Sequence, residues 1–116
     1  MNLETIAKEL DLIDLTPQLG ADAEVSSGYA SDLLSDVLAN APEGGVLVTL
    51  QVHLNVVAVA SHAELAAVIF SSGREPDAEV VAKAAAEDLH LYATRADTFE
   101  VVGRLYAMGV TSGRGA

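Results

Sequence analysis

The chain of 116 residues sets 17 acidic against 6 basic side chains, a formal charge of −11, and is 51% hydrophobic but only 4% aromatic. A single domain of that length buries a core without staples, and with no cysteine it has no thiolate metal site, thiol nucleophile or disulfide framework. The negative field argues against nucleic acid as a partner, and every apolar run is interrupted before the roughly 18 residues that a membrane span needs. Met1 to Thr5 shows neither the basic region nor the apolar segment of an export signal, so a soluble, cytoplasmic chain is expected.

In chain order, Asn2 is placed to cap a helix over Leu3 to Leu10, with Leu3, Ile6, Ala7 and Leu10 on one face. Asp11 to Thr16 reads as a short strand ended by Pro17, and Val25 to Tyr29 as a short strand or an extended connector. Ser31 is expected to cap a helix reaching Ala41, whose buried stripe would be Leu33, Leu34, Val37 and Leu38. Pro42-Glu43-Gly44-Gly45 stops it, and Gly45 to Val52 is the strongest strand, a near-continuous apolar run typical of a central parallel strand.

Asn55 to Leu65 is expected to be helical although Val56, Val57 and Val59 are poor helix formers, which requires burial to override propensity. Ala66 to Phe70 is a buried strand; Pro76-Asp77 opens a helix to Asp88; His90 to Thr94 is the next strand. Asp97-Thr98-Phe99-Glu100 has capping-box spacing and starts a helix to Met108, with Val101, Val102, Leu105 and Tyr106 inward. Each of three strands is followed by a helix, which predicts right-handed crossovers and an α/β fold of three layers, a mainly parallel sheet with helices on both faces. One domain over residues 1–109 is expected, with residues 110–116 a mobile tail lacking a core-forming pattern.

Ligands of open parallel sheets bind at the carboxyl ends of the strands, beside helix N-termini. Those ends carry Gln51, His53, Asn55, Arg74 and Thr94, a polar set that would suit a nucleotide phosphate or a small carboxylate. The plainer reading, which outweighs it, takes the same residues as caps and loop groups that finish backbone hydrogen bonds. Asp32 and Asp36, four apart, would share one helix face with Ser31 and Ser35 beside them, a polar flank that suits solvent or a subunit interface better than a carboxylate acid–base pair. His53, His62 and His90 lie in different elements without a shared ligand spacing, so neither a metal nor another cofactor is called for. Gly73-Arg74-Glu75-Pro76 stands where a phosphate loop would, yet the chain has no Gly-x-x-x-x-Gly-Lys-Ser/Thr and no Gly-x-Ser-x-Gly, which leaves no recognisable catalytic constellation.

Ser31 to Asn40, Thr49 to Ala60 and Gly73 to Pro76 together resemble the DRTGG domain, a small α/β module related to the N-terminal domain of HPr kinase/phosphorylase. The likeness runs from the first helix to Gly109. The naming motif would fall on Asp22 to Gly28, where Ala23 replaces the arginine and Ser26-Ser27-Gly28 the Thr-Gly-Gly. The resemblance implies an HPr kinase N-terminal-domain-like fold without the separate P-loop domain that carries kinase chemistry. The resemblance also implies modules that stand alone, ahead of phosphotransacetylase domains, or beside CBS domains in regulatory regions of pyrophosphatases, where they contribute to dimerisation of a nucleotide-responsive unit. A non-catalytic regulatory or assembly module is therefore expected, a homodimer through Ser26, Ser27, Gly28, Asp32, Ser35 and Asp36, with a regulatory protein as a further partner. The alternative is a sensor of a nucleotide or other phosphorylated small molecule at the five strand-end residues.

Overall fold

The computed structural model describes residues 1–114. Its helices are α1 (Leu3–Glu9), α2 (Leu34–Asn40), α3 (Asn55–His62), α4 (Ala78–Ala86) and α5 (Thr98–Ala107). Its strands are β1 (Ile13–Asp14), β2 (Gly28–Ala30), β3 (Val46–Thr49), β4 (Ala67–Phe70) and β5 (His90–Ala93), with a 3-10 turn over Pro17–Leu19. They form one sheet in the order β1-β5-β4-β3-β2, parallel except for the edge strand β1, which runs antiparallel to β5. The expected three-layer α/β architecture is what the chain adopts.

The central strands explain the layering. Every residue of β3 and β4 is buried, so neither sheet face can be left to water. Val46, Val48, Ala67, Ile69 and Tyr92 face Leu3 and Ile6 of α1 and Val101 and Leu105 of α5. Leu47, Val68, Phe70 and Leu91 point the other way, onto Val37 of α2, Val56, Val57 and Ala60 of α3, and Val80 and Ala84 of α4. Successive strand residues alternate between the two cores, as the pleat requires.

Local chemistry sets the boundaries. Asn2 accepts the Glu4 N–H at 2.8 Å, Asp77 the Val80 N–H at 3.2 Å and Asp97 the Glu100 N–H at 2.9 Å, three side-chain caps where the sequence places them. α3 forms over valines as expected, because Val56 and Val57 are fully buried beneath it and packing outweighs their propensity.

Two expectations are corrected, one on α2 and one on α5. The helix over Ser31–Ala41 begins instead at Leu34: Ser31 Oγ accepts the Leu33 N–H at 3.2 Å in a local turn, and Leu33 is extended. Of its expected stripe only Val37 is fully buried, and Leu33 and Leu38 are 64% and 48% exposed. On α5, Val101 and Leu105 face the core, whereas Tyr106 is 66% exposed and Val102 sits at the rim. The segment after Gly109 supplies Val110 to the core, and Thr111 accepts the Gly28 N–H at 2.8 Å on the outer side of β2. Residues 115 and 116 of the expected tail lie outside the described residues.

At the amino end of the sheet, Gly44 donates to the Glu64 carbonyl at 2.9 Å, and the Glu64 carboxyl beside Glu43 holds the Glu43 carboxyl above the usual carboxylate range. A raised folded-state value means that this pair favours folding below the unfolded carboxylate range, and that the advantage is lost as pH rises through the folded value. Glu64→Gln is expected to raise the thermal midpoint near neutral pH, with the gain vanishing toward about pH 4. A gain that is constant with pH in thermal melts would place its origin elsewhere.

Candidate functional site

The carboxyl ends of the parallel strands are drawn together by backbone hydrogen bonds. Ser71 donates to the Thr49 carbonyl at 3.1 Å, Thr94 to the Phe70 carbonyl at 3.0 Å, and Gly73 to the Thr94 carbonyl at 2.9 Å. A row of small hydroxyls follows this rim. Thr49 Oγ1 donates to Asp32 Oδ1 at 3.0 Å and accepts the Gln51 N–H at 3.1 Å. Ser71 Oγ pairs with Thr98 Oγ1 at 2.6 Å, and Thr94 Oγ1 accepts the Ala96 N–H at 3.2 Å. These hydroxyls are spent on holding loops, and Thr49, Ser71 and Thr94 are themselves buried.

Of the five predicted ligand residues, Thr94 and Arg74 lie on loops tied to each other through the Gly73–Thr94 bond, with the Arg74 guanidinium exposed. Gln51, His53 and Asn55 come from the single β3–α3 connection. His53 Nδ1 accepts the Asn55 N–H at 3.0 Å, so the imidazole finishes the entry to α3. The Arg74 guanidinium and the His53 imidazole are both exposed, on separate loops. A cavity between β2 and α5 shares none of the five residues. Among the described residues no three His, Asp or Glu side chains gather into a cation site, and no helix is long and apolar enough to cross a membrane.

The predicted interface residues separate into different roles. Ser26 and Ser35 are exposed, Ser27 is buried within the chain, and Gly28 faces Val110, which its missing Cβ would meet at 3.3 Å. Asp32 and Asp36 do not share a helix face, because residues 31–33 are not helical. Asp32 Oδ1 accepts both Thr49 Oγ1 and the Leu50 N–H, the latter at 2.7 Å, and so clamps the end of β3. Asp36 accepts the Tyr29 hydroxyl at 2.8 Å and the Asn40 amide at 2.9 Å. Asn40, then Ser31 and Tyr29, hold its carboxyl below the usual range, while the same carboxylate pushes the Tyr29 hydroxyl up.

Sequence reasoning missed the partner of that cluster. The Arg114 guanidinium lies 5.9 Å from the Tyr29 ring centre and donates to the Asn40 carbonyl. The only sign of it was an arginine in an otherwise glycine- and serine-rich terminal stretch.

No protein-family model and no curated protein matches this sequence. A solved structure does match, the CBS and DRTGG domains of the regulatory region of Clostridium perfringens pyrophosphatase, complexed with the activator diadenosine tetraphosphate. It superimposes with a TM-score of 0.69 at 13% identity, over 97% of this chain and 48% of that one, so the chain spans about half the length of that structure. What is shared is the fold, and it agrees with the resemblance carried by Ser31–Asn40, Thr49–Ala60 and Gly73–Pro76: this chain folds as a DRTGG-type α/β domain.

Proposed function

We propose that the chain is a non-catalytic regulatory and assembly module that acts as a homodimer, in the cytoplasm. The observation that carries this is the exposure of Leu33 (64%) and Leu38 (48%) around Ser35 and Asp36, one just before and one on a short helix that buries only Val37 fully. Large exposed aliphatics flanked by polar residues mark association surfaces. The fold it shares with a pyrophosphatase regulatory region supports the regulatory role.

Sedimentation across a concentration series tests it. The native chain is expected to dimerise, and the double variant Leu33→Asp, Leu38→Asp to weaken the dimer at least about tenfold, the loss of one interface anchor. Both leucines being exposed, the circular dichroism of the variant should match the native one. A native chain that stays monomeric at high concentration overturns the assignment.

The alternative, a sensor for a nucleotide or another anionic metabolite at Gln51, His53, Asn55, Arg74 and Thr94, draws support from the Gly73–Thr94 bond that brings two of these loops together. It also draws on the activator bound by the pyrophosphatase region. The same sedimentation runs separate the two. With diadenosine tetraphosphate present, a sensor carries adenine absorbance in the protein boundary and loses it on Arg74→Ala, whereas an assembly module leaves that absorbance behind.

A further inference from the structure

Strand β2 reads Gly28-Tyr29-Ala30, and alternation divides it unequally. Tyr29 lies in register with Leu47 and packs on the α2 side, while Gly28 and Ala30 lie in register with Val46 and Val48 on the α5 side. A hydrogen and a methyl group cannot fill the space that larger strand residues would occupy. A cavity of about 460 Å³ is left between β2 and α5, lined by Ala30, Val48, Val102, Leu105, Tyr106 and Thr111 among others, within the size range of small-molecule sites.

Two further facts restrict the occupant. Among the described residues no charged side chain lines the cavity, although the chain carries a net −11, which favours an uncharged group inside. The second is the peptide edge. Toward β3, the neighbours of Gly28 and Ala30 do the bonding: Ser27 accepts the Val46 N–H at 2.8 Å and Ser31 donates to the Val48 carbonyl at 3.3 Å. The N–H and C=O of Ala30 therefore point outward from the sheet, and among the described residues neither has a partner. Gly28 already gives its outward N–H to Thr111. What remains is the donor and acceptor of Ala30, with the Gly28 carbonyl as a second outward acceptor, beside an apolar slot with the Tyr106 ring at its exposed side.

We propose that this cavity binds a flat, uncharged amino-heteroaromatic ring of purine size, hydrogen-bonded edge-on to the Ala30 peptide groups and packed against Tyr106. A flat ring with adjacent donor and acceptor satisfies Ala30, whereas an acyl chain would bury those groups unpaired. A peptide strand would need the Gly28 N–H for its ladder, and Thr111 already holds it. The inference is independent of the dimer, and none of the five strand-end residues takes part in it.

An amide NMR titration with adenosine, which has no phosphate, tests it, with decanoate and N6,N6-dimethyladenosine titrated in parallel. Adenosine is expected to shift the Ala30, Tyr106 and Thr111 amides saturably, and dimethyladenosine to bind about tenfold more weakly for the donor it lacks. Ala30→Phe, which fills the slot from an exposed position, should abolish the shifts, and Tyr106→Ala, at a side chain outside the core, should weaken them. Shifts that survive both variants, binding of decanoate in place of adenosine, or no saturable response would each overturn the proposal. So would shifts confined to Asn55 and Arg74, which would locate the ligand at the strand ends. Concentration-dependent broadening of the Ala30 and Tyr106 amides without any adenosine response would overturn it too, because a second copy would then cover the cavity.

Discussion

Phe70→Ala is expected to remove about 3–5 kcal/mol of folding stability, the range for deleting a fully buried aromatic. Phe70 is 0% exposed at the end of β4, in the core that also holds Val56, Val57, Val80 and Ala84. The chain has only two phenylalanines and no tryptophan, so this ring is one of the few large volumes in an aliphatic interior. The valines around it are stiff at χ1 and the alanines have nothing to extend, so the hole collapses poorly and the cost falls toward the upper end. Against a typical total of about 5–15 kcal/mol, such a loss leaves a marginal fold. Urea denaturation reads the difference directly; a change below about 1 kcal/mol would mean that the layers close over the gap.

The second large effect lies at the β1 edge of the sheet. β1 is two residues long, and the ladder to β5 would stop there if backbone alone were used. The chain continues it with a side chain: Leu15 donates to the Leu91 carbonyl at 3.0 Å, and Leu91 donates to Thr16 Oγ1 at 3.1 Å. Thr16 is fully buried, so water cannot replace that hydroxyl. Thr16→Val keeps the shape and orphans the Leu91 N–H, which is expected to cost about 1–3 kcal/mol. Hydrogen exchange at the Leu91 amide should accelerate accordingly, and Thr16→Ser should restore much of the protection. If valine proved neutral in both measurements, the hydroxyl would be filling space and no more.

The βα alternation was legible because its physics is local. Apolar runs such as Val46–Val48 and Ala67–Phe70 admit few other fates, and Asn2, Asp77 and Asp97 announce helix starts through a bond to an N–H two or three residues on. What could not be read is decided at long range. Ser31 looked like a cap, but the Asp32 carboxylate that would have entered the first turn is claimed by Thr49 and Leu50, 17 and 18 residues away. Leu33 and Leu38 have the spacing of a buried stripe, and only the placement of α2 shows that they face outward. The candidate site follows the same division. Its strand-end positions were visible in the pattern, whereas the slot over β2 depends on Val110 and Thr111 returning to a strand some eighty positions earlier, along a segment with no periodicity to betray it.

The brevity of the two outer strands bears on how such a chain avoids self-templating. Half of its residues are hydrophobic and its central strands would be dangerous if bare, since a long flat edge invites another chain to add on and start a fibril. Here one border is two residues ending in Thr16 and Pro17, and the other is three residues with Gly28 already bound to Thr111. Each border is too short to offer the long run of peptide groups that a growing cross-β stack requires, and the strong negative charge keeps neighbours apart before they can try. The interior can thus be built almost wholly from small aliphatic residues because the sheet ends in short borders.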